Sequence, residues 1–212
     1  MSNQVTINWQ ELYYHRRLIA REFGDIWDLP VRKRYHQIMG ELGAKNISLL
    51  EIGAGDRALA ERMRGYWNEF DYRSCDIDTT FDHDFTHFST IVGHYDLICA
   101  FEVIEHLTLQ EAAEMLIKLR VHLKPGGLLI LTTPNTFYPP AYLRDATHVT
   151  PFCFDELAGL VNLAGYQVQF IYRLFHDSLL KKFVKRVLMY PLFRVLGIDY
   201  AKQILVVAKN PL

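Results

Sequence analysis

Apolar positions along this chain alternate between helical and strand spacing. Trp9, Leu12, Tyr13, Ile19, Ala20 and Phe23 recur at helical intervals, with Glu11, Arg17, Arg21 and Glu22 mostly on other faces, and Gly24 ends the pattern. Such an aromatic stripe is expected to pack on a core. Pro30 is placed to open a second helix, in which Val31, Tyr35, Ile38, Met39 and Leu42 share a side before Gly43. Across 48–63 the pattern changes: Leu49, Leu50 and Ile52 suit a buried strand, Gly53 and Gly55 a tight turn, and Leu59 with Met63 a helix. Further strands are expected at 70–75, 95–101, 128–133, 167–172 and 204–208, with 82–87 forming a short strand or a loop. In the fourth of these, Val168, Phe170 and Tyr172 alternate with Gln167, Gln169 and Ile171. Thr108 and Glu111 match a capping box ahead of Ala112, Met115, Leu116 and Leu119, and Lys124-Pro125-Gly126-Gly127 stops that helix. A loop is expected over 134–140 and another helix over 155–164.

Strands and helices in alternation predict an α/β, doubly wound, mostly parallel sheet. The organisation expected is one domain: helices over 1–45, a core of 46–175 and 203–210, and a helical insertion at 176–202. That insertion holds a basic amphipathic stretch, 179–190. Leu180, Phe183, Val184, Val187 and Leu188 share one face, while Lys181, Lys182, Lys185 and Arg186 lie on or near the other. Packing on the domain is its plain reading; peripheral contact with an anionic membrane or a lipid-linked substrate is the other.

The 212 residues are 50% hydrophobic and 13% aromatic, as in ordered globular proteins, and the net charge of −1 gives no reason to expect a nucleic-acid partner. Cys75, Cys99 and Cys153 are too few and too scattered for a disulfide framework or zinc knuckle. The start of the chain is polar at Asn3, Gln4 and Asn8, and no apolar run reaches the roughly 20 residues that span a bilayer. A cytoplasmic protein, at most membrane-peripheral, is expected.

Candidate chemistry gathers where strands end. Gly53 and Gly55 would let the backbone approach a ligand, and Asp76 follows Gly55 by about 20 residues, the interval that brings an acid to a ribose. Asp82, His83, Asp84 and His87 resemble a metal cluster but lack the periodicity to share a helix face, so no metal is expected there. Asp84 is instead a candidate partner for a base amino group. Glu102, Glu105 and His106 follow the strand at 95–101, at the sheet edge where ligands lie. Tyr138, Tyr142, Arg144, Asp145 and His148 fall in or just after the 134–140 loop and mark a substrate pocket.

Taken together, these blocks resemble a family. The residues are Glu51-Ile-Gly53-Ala-Gly55 after an apolar strand, Asp76 and Asp84 after the next two, Tyr95-Asp-Leu-Ile followed by Phe101-Glu-Val-Ile-Glu-His-Leu107, and Leu123-Lys-Pro-Gly-Gly127. They look like class I S-adenosylmethionine-dependent methyltransferases over about 48–135. The resemblance implies a seven-stranded sheet in the order 3-2-1-4-5-7-6 with strand 7 antiparallel, and S-adenosylmethionine as cofactor, leaving S-adenosylhomocysteine. It also implies that Glu51, Gly53 and Gly55 line the methionine part, Asp76 takes the ribose hydroxyls, Asp84 and Phe85 flank the adenine, and Glu102 lies nearby. Arg57 departs from the pattern, standing where the family has a third glycine.

Gly53-Ala-Gly55-Asp-Arg-Ala58 also satisfies a dinucleotide motif, so an NAD(P)-dependent oxidoreductase is the rival enzyme. Asp56 at the helix start opposes a pyrophosphate, whereas Glu51 and Asp56 together suit a ligand carrying a sulfonium and an ammonium. The expected reaction is methyl transfer, at oxygen, to a small-molecule or glycan- or lipid-linked acceptor. His148 is the first candidate base and His106 the second, because an imidazole accepts a proton near neutral pH. A non-catalytic, cofactor-binding or membrane-docking module is the remaining alternative.

Overall fold

A computed structural model describes residues 7–32, 34–43, 46–175 and 178–212, excepting the side chains of Leu179 and Lys182. Asn3, Gln4 and His176 lie outside the described residues. In chain order the elements are α1 (Trp9–Phe23), β1 (Val31–Arg32), α2 (Tyr35–Leu42), β2 (Ile47–Ile52), α3 (Ala58–Arg64), β3 (Phe70–Cys75), β4 (Tyr95–Phe101), α4 (Leu109–Val121) and β5 (Leu123–Pro134). Then come α5 (Pro139–Leu143), α6 (Phe154–Leu163), β6 (Gln167–Leu174), α7 (Leu179–Phe183), α8 (Tyr190–Leu196) and β7 (Gln203–Lys209). The sheet runs β3-β2-β4-β5-β7-β6-β1, and only β7 is antiparallel to its neighbours.

Counting from the strand that feeds the glycine turn, this is the 3-2-1-4-5-7-6 order. The third position is reduced to a single parallel bridge between Cys75 and Phe85, and β1 is added beyond β6 at the far edge. Alternate side chains of the central strands enter two cores. Leu50, Ile98, Leu129, Leu131 and Val206 meet α1, α4 and α6, while Leu49, Leu97, Cys99, Ile130 and Leu205 meet α2 and α3. A parallel sheet must be covered on both faces, which is why its strands read as unbroken apolar runs. On the first face α1 and α6 touch closely: a Cβ at Gly159 would stand 2.9 Å from the Arg16 backbone nitrogen, and Arg16 Nε donates to Asp155 at 2.6 Å.

Beneath the 134–138 loop lies a buried ionic knot. Arg173 on β6 donates to Asp199 Oδ1 at 3.1 Å, to the Leu29 carbonyl at 3.0 Å and to the Trp27 carbonyl at 3.1 Å. Asp199 also accepts from Asn135 Nδ2 at 2.9 Å and from the Tyr200 amide at 2.8 Å, while its own amide donates to the Phe137 carbonyl. The knot fixes both the chain leaving β5 and the chain entering β7.

Several expectations are corrected. Val31 does not join the second helix: Val31–Arg32 pairs with β6, and the helix starts at Tyr35. Amides of Arg173 and Phe175 donate to the Pro30 and Arg32 carbonyls, so an open sheet edge takes the segment before helical propensity can. Trp9 and Tyr13 point outward, 71% and 46% exposed, and only Leu12 and Ile19 of α1 are fully buried. The period-two pattern of β6 breaks at a register shift between Val168 and Phe170, which turns Phe170 outward and buries Ile171. The expected loop holds the short helix α5, opened by Pro139.

The insertion departs most. After α7 the chain makes a π-helical turn, Val184–Leu188, and Pro191 lies in the first turn of α8. Leu180, Phe183, Val187, Leu188, Leu192, Val195 and Leu196 are exposed, so the apolar face does not pack on the domain. No helix among the described residues is long and apolar enough to cross a membrane.

Candidate active site

Two adjoining cavities open at the carboxyl edge of the sheet. The first, about 320 Å³, lies over the glycine turn and is lined by Glu51, Gly53, Gly55, Arg62, Glu102 and others. The second, about 660 Å³, is lined by His106, Tyr138, Arg144, Asp145, His148 and Lys202 among others. Tyr35, Glu102 and Gln203 border both, so the two spaces meet at that line of side chains.

The turn after β2 explains the first cavity. Gly53 has φ +70°, and a Cβ there would lie 2.3 Å from Val103 Cγ2; Gly55 has φ +46° with nothing near the position of a Cβ. The backbone is therefore packed on Val103 at Gly53 and forms a bare ledge at Gly55. Asp76 accepts from the Gly55 amide at 2.7 Å through Oδ2 and from the Asp78 amide at 2.9 Å through Oδ1, and it does not itself line the 320 Å³ space. Asp56 accepts from the Ala58 amide at 3.0 Å and caps α3.

Arg57 has φ +61°, the left-handed conformation a glycine would take most easily. Its guanidinium donates to the Asp82 carbonyl at 2.8 Å and lies over the Tyr72 ring, off the cavity. The cation that lines the ledge is Arg62, which donates to Tyr35 Oη at 2.7 Å.

Glu51 is buried at the floor and accepts a hydrogen bond from Tyr72 Oη. Burial, reinforced by Asp56 and Asp76, pushes its carboxyl up to about 7 against the opposing effect of that hydrogen bond. The folded state thus holds a proton that the unfolded state has released, so stability is highest below the ordinary carboxyl value and declines as pH rises to about 7. Glu51 contributes a loss of up to ~3 kcal/mol across that window, and because burial also raises the Glu102 and Glu105 carboxyls, urea melts of the ligand-free chain should lose only the Glu51 share of the pH dependence on Glu51→Gln.

Two expected adenine neighbours stand apart from this cavity. Asp84 accepts from the Ser74 amide and from Arg73 Nη1, both at 2.9 Å, which holds its carboxyl below the usual range despite partial burial. Phe85 pairs with β3 beside it: its amide donates to the Ser74 carbonyl and its carbonyl accepts from the Asp76 amide. Neither lines the 320 Å³ space.

In the second cavity His148 Nδ1 meets the Tyr142 carbonyl at 2.7 Å. A carbonyl can only accept, so Nδ1 carries the hydrogen and Nε2 keeps the lone pair of the neutral ring. His106 Nδ1 lies 3.2 Å from the Thr147 carbonyl, and the two imidazoles pack edge to face with centroids 4.9 Å apart. Glu102 has φ +55°, and Thr132 Oγ1 donates to its carboxylate at 2.9 Å. Burial raises the Glu102 carboxyl, eased by Thr132, Gln203 and the two histidines.

Tyr35, Arg62, Thr132, Lys202 and Gln203 had not been singled out as site residues. Tyr35 and Arg62 lie on helices that precede or follow the glycine turn, and no local motif marks them. Thr132 and Gln203 had a usable signal, because β5 ends and antiparallel β7 begins at the ligand edge of the sheet.

A family model described as a methyltransferase domain matches residues 27–170, more than half of the chain. This chain belongs to that methyltransferase-domain family, and its sheet is that of class I S-adenosylmethionine-dependent methyltransferases. The dinucleotide-dependent oxidoreductase alternative falls with that membership. No curated protein matches the sequence.

Among solved structures, a SAM-dependent methyltransferase from Archaeoglobus fulgidus superposes with a TM-score of 0.62 at 16% identity, covering 93% of this chain and 99% of that one. The N-methyltransferase NodS from Bradyrhizobium japonicum, in complex with S-adenosyl-L-homocysteine, gives 0.57 at 16% identity over 93% and 99%. The cyclopropane synthase MmaA2 from Mycobacterium tuberculosis gives 0.55 at 13% identity over 98% and 100%. At these identities the likeness concerns the fold.

Proposed function

We propose that the chain methylates an oxygen nucleophile on a small-molecule or glycan- or lipid-linked acceptor, with S-adenosylmethionine in the 320 Å³ cavity and the acceptor in the 660 Å³ one. The observation that carries this reading is the junction of the two cavities at Tyr35, Glu102 and Gln203, with His148 on the acceptor side. The bare ledge at Gly55, the buried Glu51 and the Arg62 cation match a ligand that carries an ammonium and a carboxylate on one end. Asp76, held beside the glycine turn by the Gly55 amide, is the group for the ribose hydroxyls.

When bound, S-adenosylmethionine supplies a methyl group already activated by its sulfonium. The protein positions the acceptor oxygen within roughly 3–3.5 Å of that carbon and keeps water out. Ionised Glu51 attracts the ammonium, and Arg62 neutralises the carboxylate. In the acceptor cavity His148 Nε2 takes the hydroxyl proton, His106 is the second base, and Tyr138, Tyr142 and Arg144 contact the rest of the acceptor.

Affinity for the cofactor should rise about tenfold, equivalent to ~1.4 kcal/mol, between pH 5.5 and pH 8 as Glu51 ionises. Calorimetric titration at the two pH values checks this, and Glu51→Gln should bind more weakly with no such rise. Arg57→Gly should leave S-adenosylhomocysteine affinity within about twofold, because the guanidinium lies off the cavity. A large loss would assign that arginine to the ligand.

The exposed apolar face of α7 and α8, flanked by Lys181, Lys185 and Arg186, supports an acceptor met at an anionic membrane surface. The deciding experiment incubates the chain with methyl-labelled S-adenosylmethionine and cell extract fractionated into polar metabolites, glycans, lipids, protein and RNA. Label in a base-stable ether of a glycan or lipid fraction supports the proposal, and label confined to amines overturns methylation at oxygen.

A further inference from the structure

Glu105 stands out among the buried groups. It lies in the short turn after β4, is 0% exposed, and neither carboxylate oxygen meets a hydrogen-bond donor. Thr133 Oγ1 is likewise buried without a hydrogen-bond partner. An isolated buried carboxylate is costly unless something positive stands against it. Its surroundings supply imidazoles: one donor atom from each of Glu105, His106 and His148 lies within 4.8 Å of the other two.

The histidines are already oriented. Each turns Nδ1 to a backbone carbonyl, His148 to Tyr142 and His106 to Thr147, which leaves Nε2 of both rings with the free lone pair. Imidazoles that ligate metal through one nitrogen commonly have the other fixed in this way. The backbone ties the set together as well, since the Glu105 carbonyl accepts from the Val149 and Thr150 amides at 2.7 and 3.0 Å, directly after His148. Asp145 Oδ2 lies 3.9 Å from His148 Nε2 and Glu102 borders the same cavity, adding negative charge; Arg144 and Lys202, also in the lining, oppose it.

From this juxtaposition we infer that Glu105, His106 and His148 form a binding site for one divalent transition-metal cation of the Zn²⁺ class, open toward the acceptor cavity. Two imidazoles and a carboxylate are borderline ligands, suited to Zn²⁺, Co²⁺ or Fe²⁺ and poorly to Ca²⁺. Metal–ligand bonds of roughly 2.0–2.2 Å would draw the three donors in by about 1 Å, and three protein ligands leave a position for solvent or an acceptor oxygen. This departs from the expectation that no metal is involved. The ligand set stands independently of the oxygen-methylation reading, but the role rests on that reading: the cation lowers the pKa of a bound acceptor hydroxyl, the proton passes to solvent in the open acceptor cavity, and His148 serves as a ligand in place of the base role given to it above.

The test uses the untagged full chain, stripped with chelator, dialysed and titrated with Co²⁺, whose visible d–d absorption reports its ligands. One equivalent should bind with a saturable band. Glu105→Gln, His148→Gln and the exposed-site variant His106→Ala should each weaken binding tenfold or more, with circular dichroism checked in every sample; His106→Ala serves if a buried-site variant misfolds. A missing band, or one of unchanged affinity in all three variants, overturns the site. Melting shifts with S-adenosylhomocysteine are read on the same samples. A shift without the band overturns the cation site and leaves the methyl-donor reading standing; a band without the shift supports the cation site and counts against the donor reading.

Discussion

Asp199→Ala should destabilise the fold by about 3–5 kcal/mol, because it strands the Arg173 guanidinium in the interior without its counter-charge. For a chain of this size that is a fall in melting temperature of roughly 6–20 °C. The loss should exceed that of one neutral hydrogen bond, since Asn135 Nδ2 and the Tyr200 amide lose the same acceptor. Asp199→Asn, which keeps the shape, should cost less. A double variant, Arg173→Met with Asp199→Leu, should recover much of the stability by leaving no buried charge at all. Urea unfolding of the four proteins measures this, and a loss below about 1 kcal/mol for Asp199→Ala would show that water or a moved side chain already compensates Arg173. Where the variant still folds, KM for the proposed acceptor should rise more than KM for the donor, because the Asp199 carboxylate holds Asn135, three residues before Tyr138 in the lining of the 660 Å³ cavity.

His148→Ala should lower kcat by about 10²–10⁴ while S-adenosylhomocysteine affinity stays within about twofold. The ring lines the acceptor cavity and not the donor ledge, so the two readouts separate. His106→Ala should cost less if both rings act as bases, because His106 is exposed and second in line. Comparable losses in both would instead match two ligands of one cation, where removing either ligand disables the site. Turnover unchanged in both variants would point to a carboxylate or phosphate acceptor, which needs no proton removed.

Much of the lining of the cavity proposed for the donor was legible because it is local. Glu51, Gly53 and Gly55 sit within five residues, and the turn they share can adopt few conformations. Asp76 and Glu102 follow from the rule that ligands lie where parallel strands end. Arg57 was a puzzle in the sequence and has a backbone explanation in the fold: a left-handed residue tolerated with its side chain turned to Asp82. The acceptor side was less legible. His106 and His148 were visible as candidates, yet Glu105 was one acid among several at a strand end, and only its complete burial without a donor sets it apart.

The opening stretch at 48–63 and the blocks after β4 and before β5 were enough to determine the class of fold and its ligand-bearing edge. Those features depend on hydrophobic period, glycine placement and strand ends, which are written along the chain. Tertiary structure alone decided which edge captured Val31–Arg32, how the bulge in β6 reset its faces, and that α7 and α8 leave their apolar side uncovered. It also brought Tyr35, Gln203 and His148 to one place from positions 168 residues apart at the extremes. Each of these outcomes depends on competition between distant partners for one edge, one cavity or one counter-charge, and local sequence carries no record of who wins.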